Sequence, residues 1–158
     1  MTIRPMTRAD APAVASLSTQ LSYDHTPTSL IAERLGSFAP DHGCYVAEQG
    51  GAVVGWVEVF GVHMLISARF FAEIGGLVVD MGARRQGVGR SLMVQAEAWA
   101  QGHGYSEVRL RSGLHRAEAH EFYQSVGYEL AKTSHMFRKV LTPLLLGNNG
   151  ADQQEGKR

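Results

Sequence analysis

The hydrophobic pattern changes from strand-like to helical within one short region, and this change constrains the fold most. "CYVAEQGGAVVGWVEVF" (44–60) is typical of two strands joined around Gln49-Gly50-Gly51, as in a β-hairpin. "RFFAEIGGLVVD" (69–80) is a third, apolar strand with two interior glycines, which often mark a bulge. "SLMVQAEAWAQGHGY" (91–105) then carries its apolar residues at helical spacing. Hairpins beside alternating strands and helices predict a mixed sheet with helices on its faces.

The flanking segments extend this arrangement. We predict a brief strand at the start of the chain and a first helix capped by Asp10, because this cap leaves Pro12 in the first helical turn. A second helix is expected in "TSLIAERLGSF" (28–38). The remaining predicted elements are a strand in "SEVRLRS", a helix in "RAEAHEFYQSV", and last strands in "GYEL" (127–130) and "SHMFRKVL" (134–141).

Length and composition limit the classes of protein to consider. The 158 residues suit one domain, which we predict over residues 1–142, followed by a polar, glycine-rich tail at 143–158 that is expected to be mobile. Lys and Arg total 15, as do Asp and Glu, so chain-wide attraction to nucleic acid or to a membrane surface is not indicated. The sequence shows no secretory signal and no apolar run of spanning length, which favours a cytoplasmic protein without a membrane partner.

No metal site is predicted from the sequence. Cys44 is the only cysteine, so neither a disulfide framework nor a thiolate metal site is expected. His115 and His120 are five residues apart, a spacing that does not stack two ligands on a helix, and no H-E-x-x-H string occurs.

Residues 84–93, "RRQGVGRSLM", lie between the third apolar strand and the helix and are poorly suited to starting a helix. Gly87 and Gly89 would each cost about 0.8–1.0 kcal/mol relative to alanine in a helix interior, and three arginines crowd the positive end of the helix dipole. Both features become favourable when a phosphate binds, because helix N-termini offer unpaired N–H groups that glycine leaves accessible. The Walker pattern and the G-x-G-x-x-G pattern do not fit this segment.

The segment instead fits R-x-x-G-x-G, and the sequence on both sides extends the match. "AEIGGLVVD" (72–80) precedes it, while "VRLRSG" (108–113) and "RAEAHEFYQSVGYEL" (116–130) follow it. Together these segments resemble the GCN5-related N-acetyltransferase (GNAT) superfamily, from Ile3 to about Leu141, and specifically a bacterial member that acts on small molecules. The resemblance implies an α/β (α+β) fold whose mixed sheet is mostly antiparallel and twisted. It would have about seven strands, be splayed between strands 4 and 5, and be flanked by about four helices.

The resemblance also implies that acetyl-coenzyme A (acetyl-CoA) is the cofactor. The splayed strand would hydrogen-bond the pantetheine arm as though it were an additional strand, and the glycine-rich turn would hold the pyrophosphate. Many family members have asparagine at the position of Arg116, so the role of this arginine stays open. The implied cofactor-binding residues are Leu77, Val78, Val79, Arg84, Arg85, Gln86, Gly87, Val88, Gly89, Arg90, Arg116 and Tyr123.

Acetyl transfer to an amine needs a proton acceptor for the amine and a proton donor for the departing thiolate. Tyr123 matches the tyrosine of the family's "A…FY…GY" pattern and is the candidate acid, since a phenol is protonated at neutral pH. Glu73 matches the position where several members carry a catalytic glutamate, and alternation places it on the face opposite Ala72 and Ile74. Glu58 is the rival carboxylate, and a chain of waters is a third possibility.

The acceptor is less well defined by the sequence. Tyr23, Asp24, Trp56, Glu58 and Glu73 combine carboxylates with aromatic rings, which suits a cationic primary amine of a small molecule. Transfer to protein N-termini or lysines, and a degenerate member that binds coenzyme A without catalysis, are the alternatives. A phosphate-binding domain outside this superfamily is a further alternative. The resemblance also allows a homodimer.

Overall fold

The computed structural model describes residues 1–21, 26–66 and 70–141 of the chain. It divides into two compact units, residues 1–128 and 129–158. All helices and strands of the described residues lie in the first unit. Among the described residues, no helix is both long enough and apolar enough to cross a membrane.

The first unit is built on a five-stranded sheet whose spatial order follows the chain order. The first three pairings are antiparallel, and the fourth is parallel. The strands are β1 (Thr2–Pro5), β2 (His42–Gln49), β3 (Ala52–Val62), β4 (Phe71–Val79) and β5 (Val108–Leu110). The hairpin predicted around Gln49-Gly50-Gly51 is confirmed, because Gly50 and Gly51 both have positive φ, which lets β2 turn directly into β3.

Four helices accompany the sheet, namely α1 (Ala11–Ser18), α2 (Thr28–Leu35), α3 (Val88–Gly102) and α4 (Ala117–Ser125). The predicted mixed fold is therefore confirmed. The main core lies where the apolar stripe of α3, including Leu92 and Met93, packs against Val57 and Val59 of the sheet, all at most 1% exposed. This packing fixes the start of α3 beside the end of β4.

A bulge in β4 changes the direction of the strand's polar groups. Glu58 pairs with Gly76 and Val59 pairs with Ile74, so Gly75 is an extra residue in the ladder. Before the bulge, the Ala72 amide donates to Glu107 on the β5 side. Backbone amides point to opposite edges at successive residues of a strand, so without the bulge the amide of Asp80, like that of Ala72, would point towards β5. The Asp80 amide instead donates to the Val54 carbonyl on β3. The extra residue has therefore reversed the alternation.

The strand count differs from the prediction of about seven. "GYEL" and "SHMFRKVL" were predicted as strands, but residues 127–141 form neither a helix nor a strand. Alternating side chains favour a strand only where a neighbouring edge supplies ladder hydrogen bonds, and residues 127–141 pair with no strand in the part of the chain that the structure describes. The whole of the predicted tail at 143–158, like Ser22 to His25, lies outside the described residues.

An ion pair between the partly exposed Arg4 and the buried Asp10 fixes the entry into α1. Both oxygens of the Asp10 carboxylate accept hydrogen bonds of 2.8 Å from Arg4, and Asp10 is only 7% exposed. The Thr7 amide also donates to this carboxylate. α1 begins directly after Asp10 with Pro12 in its first turn, as predicted, but the Asp10 side chain makes no capping bond to α1. The Arg4 hydrogen bonds lower the pKa of Asp10 to about 2.

Asp10→Asn is expected to lower the free energy of unfolding by about 2 kcal/mol at pH 7. The pKa of Asp10 is lower in the folded chain than in the unfolded one, so its contribution is present above about pH 4 and is lost as the pH falls through about 2. Urea unfolding at several pH values should show the wild type approaching the variant in acid. Glu107→Gln removes an exposed pair with Arg109 and should change stability by less than about 0.5 kcal/mol at any pH.

Candidate functional site

The second half of β4 has one open edge. The parallel pairing of β4 with β5 ends at Ile74 and Leu110, so the two strands separate after the bulge. Since the Asp80 amide faces β3, alternation turns the polar groups of Leu77 and Val79 to the opposite edge. Among the described residues, no strand pairs with that edge beyond Ile74. An extended ligand containing amide groups can therefore bond there as another strand.

A turn rich in unbonded amides lies next to this edge. Arg85 and Gly87 both have positive φ, 61° and 83°, and α3 begins immediately afterwards at Val88. Within the described parts of the chain, no backbone carbonyl accepts a hydrogen bond from the amides of residues 85–90. The positive end of the α3 dipole adds to these donors, which makes the turn suitable for binding a phosphate group.

The two glycines of the turn serve different purposes. Gly87 adopts a left-handed conformation with no atom within 4 Å of the position of a Cβ, so its role is conformational. A Cβ on Gly89 would lie 3.1 Å from Cζ of Phe122, so this glycine allows α4 to pack closely against the start of α3. Besides the access for an anion that the sequence predicts at both positions, each glycine therefore has a structural role of its own.

Two of the three arginines bond to the protein backbone. Arg84 Nε donates to the Val79 carbonyl at 3.2 Å, and Arg90 donates to the Ser125 carbonyl at 3.1 Å. The second bond places a cation at the C-terminal end of α4, where the helix dipole is negative. Both guanidinium groups therefore brace the turn against β4 and α4.

Helix α4 brings Tyr123 into this region. Arg116 is the residue before the helix, and its amide donates to the Gly113 carbonyl. The Tyr123 ring lies 5.4 Å from the Phe122 ring and 6.3 Å from the Tyr128 ring, measured between centroids. Tyr128 donates to Glu97, and burial is the main cause that raises the pKa of this phenol.

The sheet face opposite α3 carries the acidic residues. Trp56, Glu58 and Phe60 alternate along β3 on one face, and Glu73 joins them because it pairs with Phe60. A Cβ on Gly75 would lie 2.6 Å from Oε2 of Glu58, so the bulge glycine leaves room for that carboxylate.

Gly76 likewise leaves room for the indole of Trp56, since a Cβ at Gly76 would lie only 2.6 Å from the Cη2 atom of that ring. Glu73 is 15% exposed and lies 3.4 Å from Nε of Arg111. This sheet face therefore carries two carboxylates, Glu58 and Glu73, and the aromatic ring of Trp56 beside the bulge.

Glu58 belongs to a second cluster with two residues of β2. His42 Nε2 lies 2.8 Å from Glu58 Oε1, and Cys44 is the register partner of Glu58 across the two strands. The His42 ring stacks on Phe38 at 3.7 Å between centroids. Burial, with a smaller effect from the Glu58 charge, raises the pKa of the Cys44 thiol to about 12.

Two buried side-chain polar atoms have no hydrogen-bond partner among the described residues. They are Nε1 of Trp56 and Oγ of Ser112. Unsatisfied buried donors cost free energy, so both are positions where a bound molecule can supply the missing partner.

The structure brings most residues of the predicted site together in two places. The residues predicted to bind the cofactor lie on the second half of β4, in the turn and the first turn of α3, or just before and on α4, and Trp56, Glu58 and Glu73 share one sheet face. Tyr23 and Asp24 lie outside the described residues. His42 and Cys44 were not predicted from the sequence to belong to a functional site. The signal for the cluster was the H-x-C spacing, which places both side chains on one face of a strand.

Comparison with known proteins gives a consistent assignment. The family model described as "Acetyltransferase (GNAT) family" matches residues 11–128, which include all the strands and helices above except β1. N-acetyltransferase 8 of Rattus norvegicus is 32% identical over 117 residues, which are 73% of this chain and 52% of the relative. The chain thus spans about half the length of that relative.

Two further proteins extend the comparison. The aminoalkylphosphonate N-acetyltransferase of Salmonella typhimurium strain LT2 is 35% identical over 97 residues, 61% of each chain. A solved structure of an aminoglycoside N-acetyltransferase in complex with CoA shares the fold with a TM-score of 0.74 and 18% identity, covering 89% of this chain and all of that one. The extent of the family match, together with the splayed sheet and the amide-rich turn, shows that the chain belongs to the GNAT family of acetyltransferases.

Proposed function

We propose that this protein transfers the acetyl group of acetyl-CoA to a primary amine of a small molecule, directly within a ternary complex. The observation that carries the proposal is the open edge of β4 beside the unbonded amides of residues 85–90. The two features suit the two parts of coenzyme A in turn. The edge matches the amide-containing pantetheine arm, and the turn matches the pyrophosphate.

The residues that would hold the cofactor follow from this fit. Leu77 would bond the pantetheine amides through its N–H and C=O groups, with Val78 next along the strand. Val79 would bond them through its N–H group, because its carbonyl already accepts a hydrogen bond from Arg84. The amides from Arg85 to Arg90 would bind the pyrophosphate oxygens, and the Arg85 side chain would add charge. Arg84 and Arg90 would support the turn through their backbone bonds. Arg116, before α4, is proposed as a further cofactor contact.

We propose that Glu58 and Trp56 bind the acceptor. A protonated amine between the Glu58 carboxylate and the Trp56 ring would gain both a charge interaction and a cation–π interaction. Polar groups of the acceptor would also satisfy the buried Trp56 Nε1 atom. The similarity to an aminoalkylphosphonate N-acetyltransferase supports a small amine rather than a protein as the acceptor.

Two residues are proposed for proton transfer. An alkyl amine with a pKa near 10 is unprotonated in only about one part in 10³ at pH 7, which costs about 4 kcal/mol. Glu73 would take a proton from the amine as the nitrogen attacks the acetyl carbonyl. Tyr123 would give its phenolic proton to the sulfur as the C–S bond breaks. Acetyl-CoA supplies the activated acetyl group, and the products are an amide and a free thiol.

Two measurements test this function. Calorimetry should show binding of acetyl-CoA and much weaker binding of ATP, which shares the adenine nucleotide but lacks the pantetheine arm. Thiol release across a panel of polyamines, aminoglycosides, aminoalkylphosphonates and lysine peptides should then identify the acceptor class. Absence of acetyl-CoA binding would overturn the proposal. Binding without turnover on any amine would support the non-catalytic alternative, and turnover on peptides alone would contradict the small-molecule acceptor.

Gly87→Ala is expected to raise the Kd for acetyl-CoA about tenfold or more. A side chain at φ +83° is strained, so the turn would shift and lose charge-assisted bonds from its amides to the pyrophosphate, each worth about 1.5–3 kcal/mol. Gly50→Ala is the matched control, because Gly50 also has positive φ and open space but lies in the β2–β3 hairpin. Both variants should lose similar stability. Equal Kd values in the two variants would contradict the assigned role of the turn.

A further inference from the structure

His42, Cys44 and Glu58 bring three different metal-ligand types to one point of the sheet. His42 and Cys44 are two residues apart on β2 and so project from the same face, while Glu58 is directly opposite Cys44 on β3. One ring nitrogen, the sulfur and one carboxylate oxygen all lie within 4.8 Å of one another. All three residues are partly accessible, with side-chain exposures of 16% for His42 and 29% for Glu58.

The separations suit a tetrahedral metal ion. Zinc binds nitrogen and carboxylate oxygen at about 2.0–2.2 Å and sulfur at about 2.3 Å, so its ligand atoms lie about 3.3–3.6 Å apart. The cluster reaches this spacing through side-chain movements on the order of 1 Å, because the strands already fix the backbone positions. A cavity of about 270 Å³, lined by Phe38, His42 and Cys44 among others, gives an ion access from solvent. The fourth position is left for water or for a ligand.

We propose that His42, Cys44 and Glu58 form a binding site for a thiophilic divalent cation of the zinc class. The mixed nitrogen, sulfur and oxygen donor set favours zinc or cobalt over magnesium or calcium, which prefer oxygen ligands alone. The three ligands stand on β2 and β3 and none belongs to the turn or to α4, so metal binding does not require acetyl-CoA.

The metal site has one consequence that rests on the proposed function. Glu58 is the proposed anchor for the ammonium group of the acceptor, so a bound cation and the acceptor compete for the same carboxylate. Zinc should therefore raise the KM for the amine and leave the Kd for acetyl-CoA unchanged. Failure of this competition alone would count against the acceptor anchor and would leave the metal site intact.

Titration with Co²⁺ tests the site directly and needs no enzymatic activity. A thiolate-to-cobalt charge-transfer band in the near ultraviolet should saturate at one ion per chain, and Zn²⁺ should displace it. Cys44 is the only cysteine, so the band reports this residue alone. Cys44→Ser should abolish the band, while His42→Ala and Glu58→Gln should each weaken Co²⁺ binding at least about tenfold.

Matched controls make the result decisive. His63 lies 3.5 Å from Asp41, a histidine–carboxylate pair without a thiol, so His63→Ala should leave the cobalt band unchanged. Far-ultraviolet circular dichroism would confirm that each variant folds. The absence of a charge-transfer band in the wild type would overturn the proposal. So would a band of full affinity in both His42→Ala and Glu58→Gln, since Cys44 would then bind cobalt without the other two ligands.

Discussion

Tyr123→Phe is expected to lower kcat for acetyl transfer by about 10²–10⁴ while leaving the Kd for acetyl-CoA nearly unchanged. The substitution removes only the phenolic hydroxyl that would protonate the departing sulfur, and it preserves the ring that lies against Phe122 and Tyr128. Thiolate departure would then need a proton from water, whose pKa is far higher than that of a phenol. Steady-state thiol release, combined with calorimetry for acetyl-CoA, separates the loss of chemistry from any loss of binding.

Tyr128→Phe is the matched control for this prediction. Tyr128 lies beside Tyr123, and its hydroxyl donates to Glu97, so the variant should lose about 1 kcal/mol of stability. Its kcat should stay within about twofold of the wild type, because the hydroxyl is committed to Glu97. A kcat within about twofold of the wild type in Tyr123→Phe would remove that residue from the mechanism. An equal loss in both variants would point to disturbed packing of α4.

Glu73→Gln is expected to lower kcat/KM for the amine by about 10²–10³ at pH 7. The variant keeps the shape of the side chain on the sheet face but lacks a group that accepts the proton of the amine. Activity should recover as the pH rises towards the amine pKa, because more of the acceptor is then already unprotonated. The pH dependence of kcat/KM, measured for the wild type and the variant, checks both the size of the loss and its recovery.

Glu58→Gln separates binding from proton transfer. Removal of the proposed anchor should raise KM for the amine about tenfold with little change in kcat, and high pH should not restore it. Glu107→Gln serves as a neutral control, since Glu107 pairs with Arg109 at the start of β5. A loss in Glu73→Gln that does not change with pH would contradict its role as the base. If instead Glu58→Gln showed the loss of kcat and its recovery at high pH, the base would be reassigned to Glu58.

Local patterns predicted most elements of the first unit because each depends on nearby residues. Gly75 and Gly76 were expected to mark a bulge, and the register shift of β4 confirms it. Alternation also placed Glu73 opposite Ala72 and Ile74, and the latter two residues do lie in the core. The last two predicted strands failed because an alternating pattern does not reveal whether a partner edge is available.

The parts of the candidate site that lie in one contiguous motif could be predicted from the sequence. The parts that depend on which residues of neighbouring strands stand opposite each other could not. The turn from Arg84 to Arg90 is one segment, so its glycines and arginines could be interpreted together. The cluster of His42, Cys44 and Glu58 depends on which residue of β3 stands opposite Cys44. A slip of one residue would move the Glu58 side chain to the other face of the sheet, and sequence patterns do not fix that register. The Arg4–Asp10 pair was missed for a similar reason, since Asp10 was interpreted only as a helix cap.

Because Gly75 is an extra residue in β4, the open edge depends on the number of residues in this strand as well as on their types. Deleting it would rotate the second half of the strand by half a turn, so the amides of Leu77 and Val79 would face β3 and their side chains would leave the α3 core. The open edge would then be lost even if every residue of the glycine-rich turn were kept. We therefore expect a relative that lacks one residue at this position to lack the open edge of β4, whatever its overall identity to this chain.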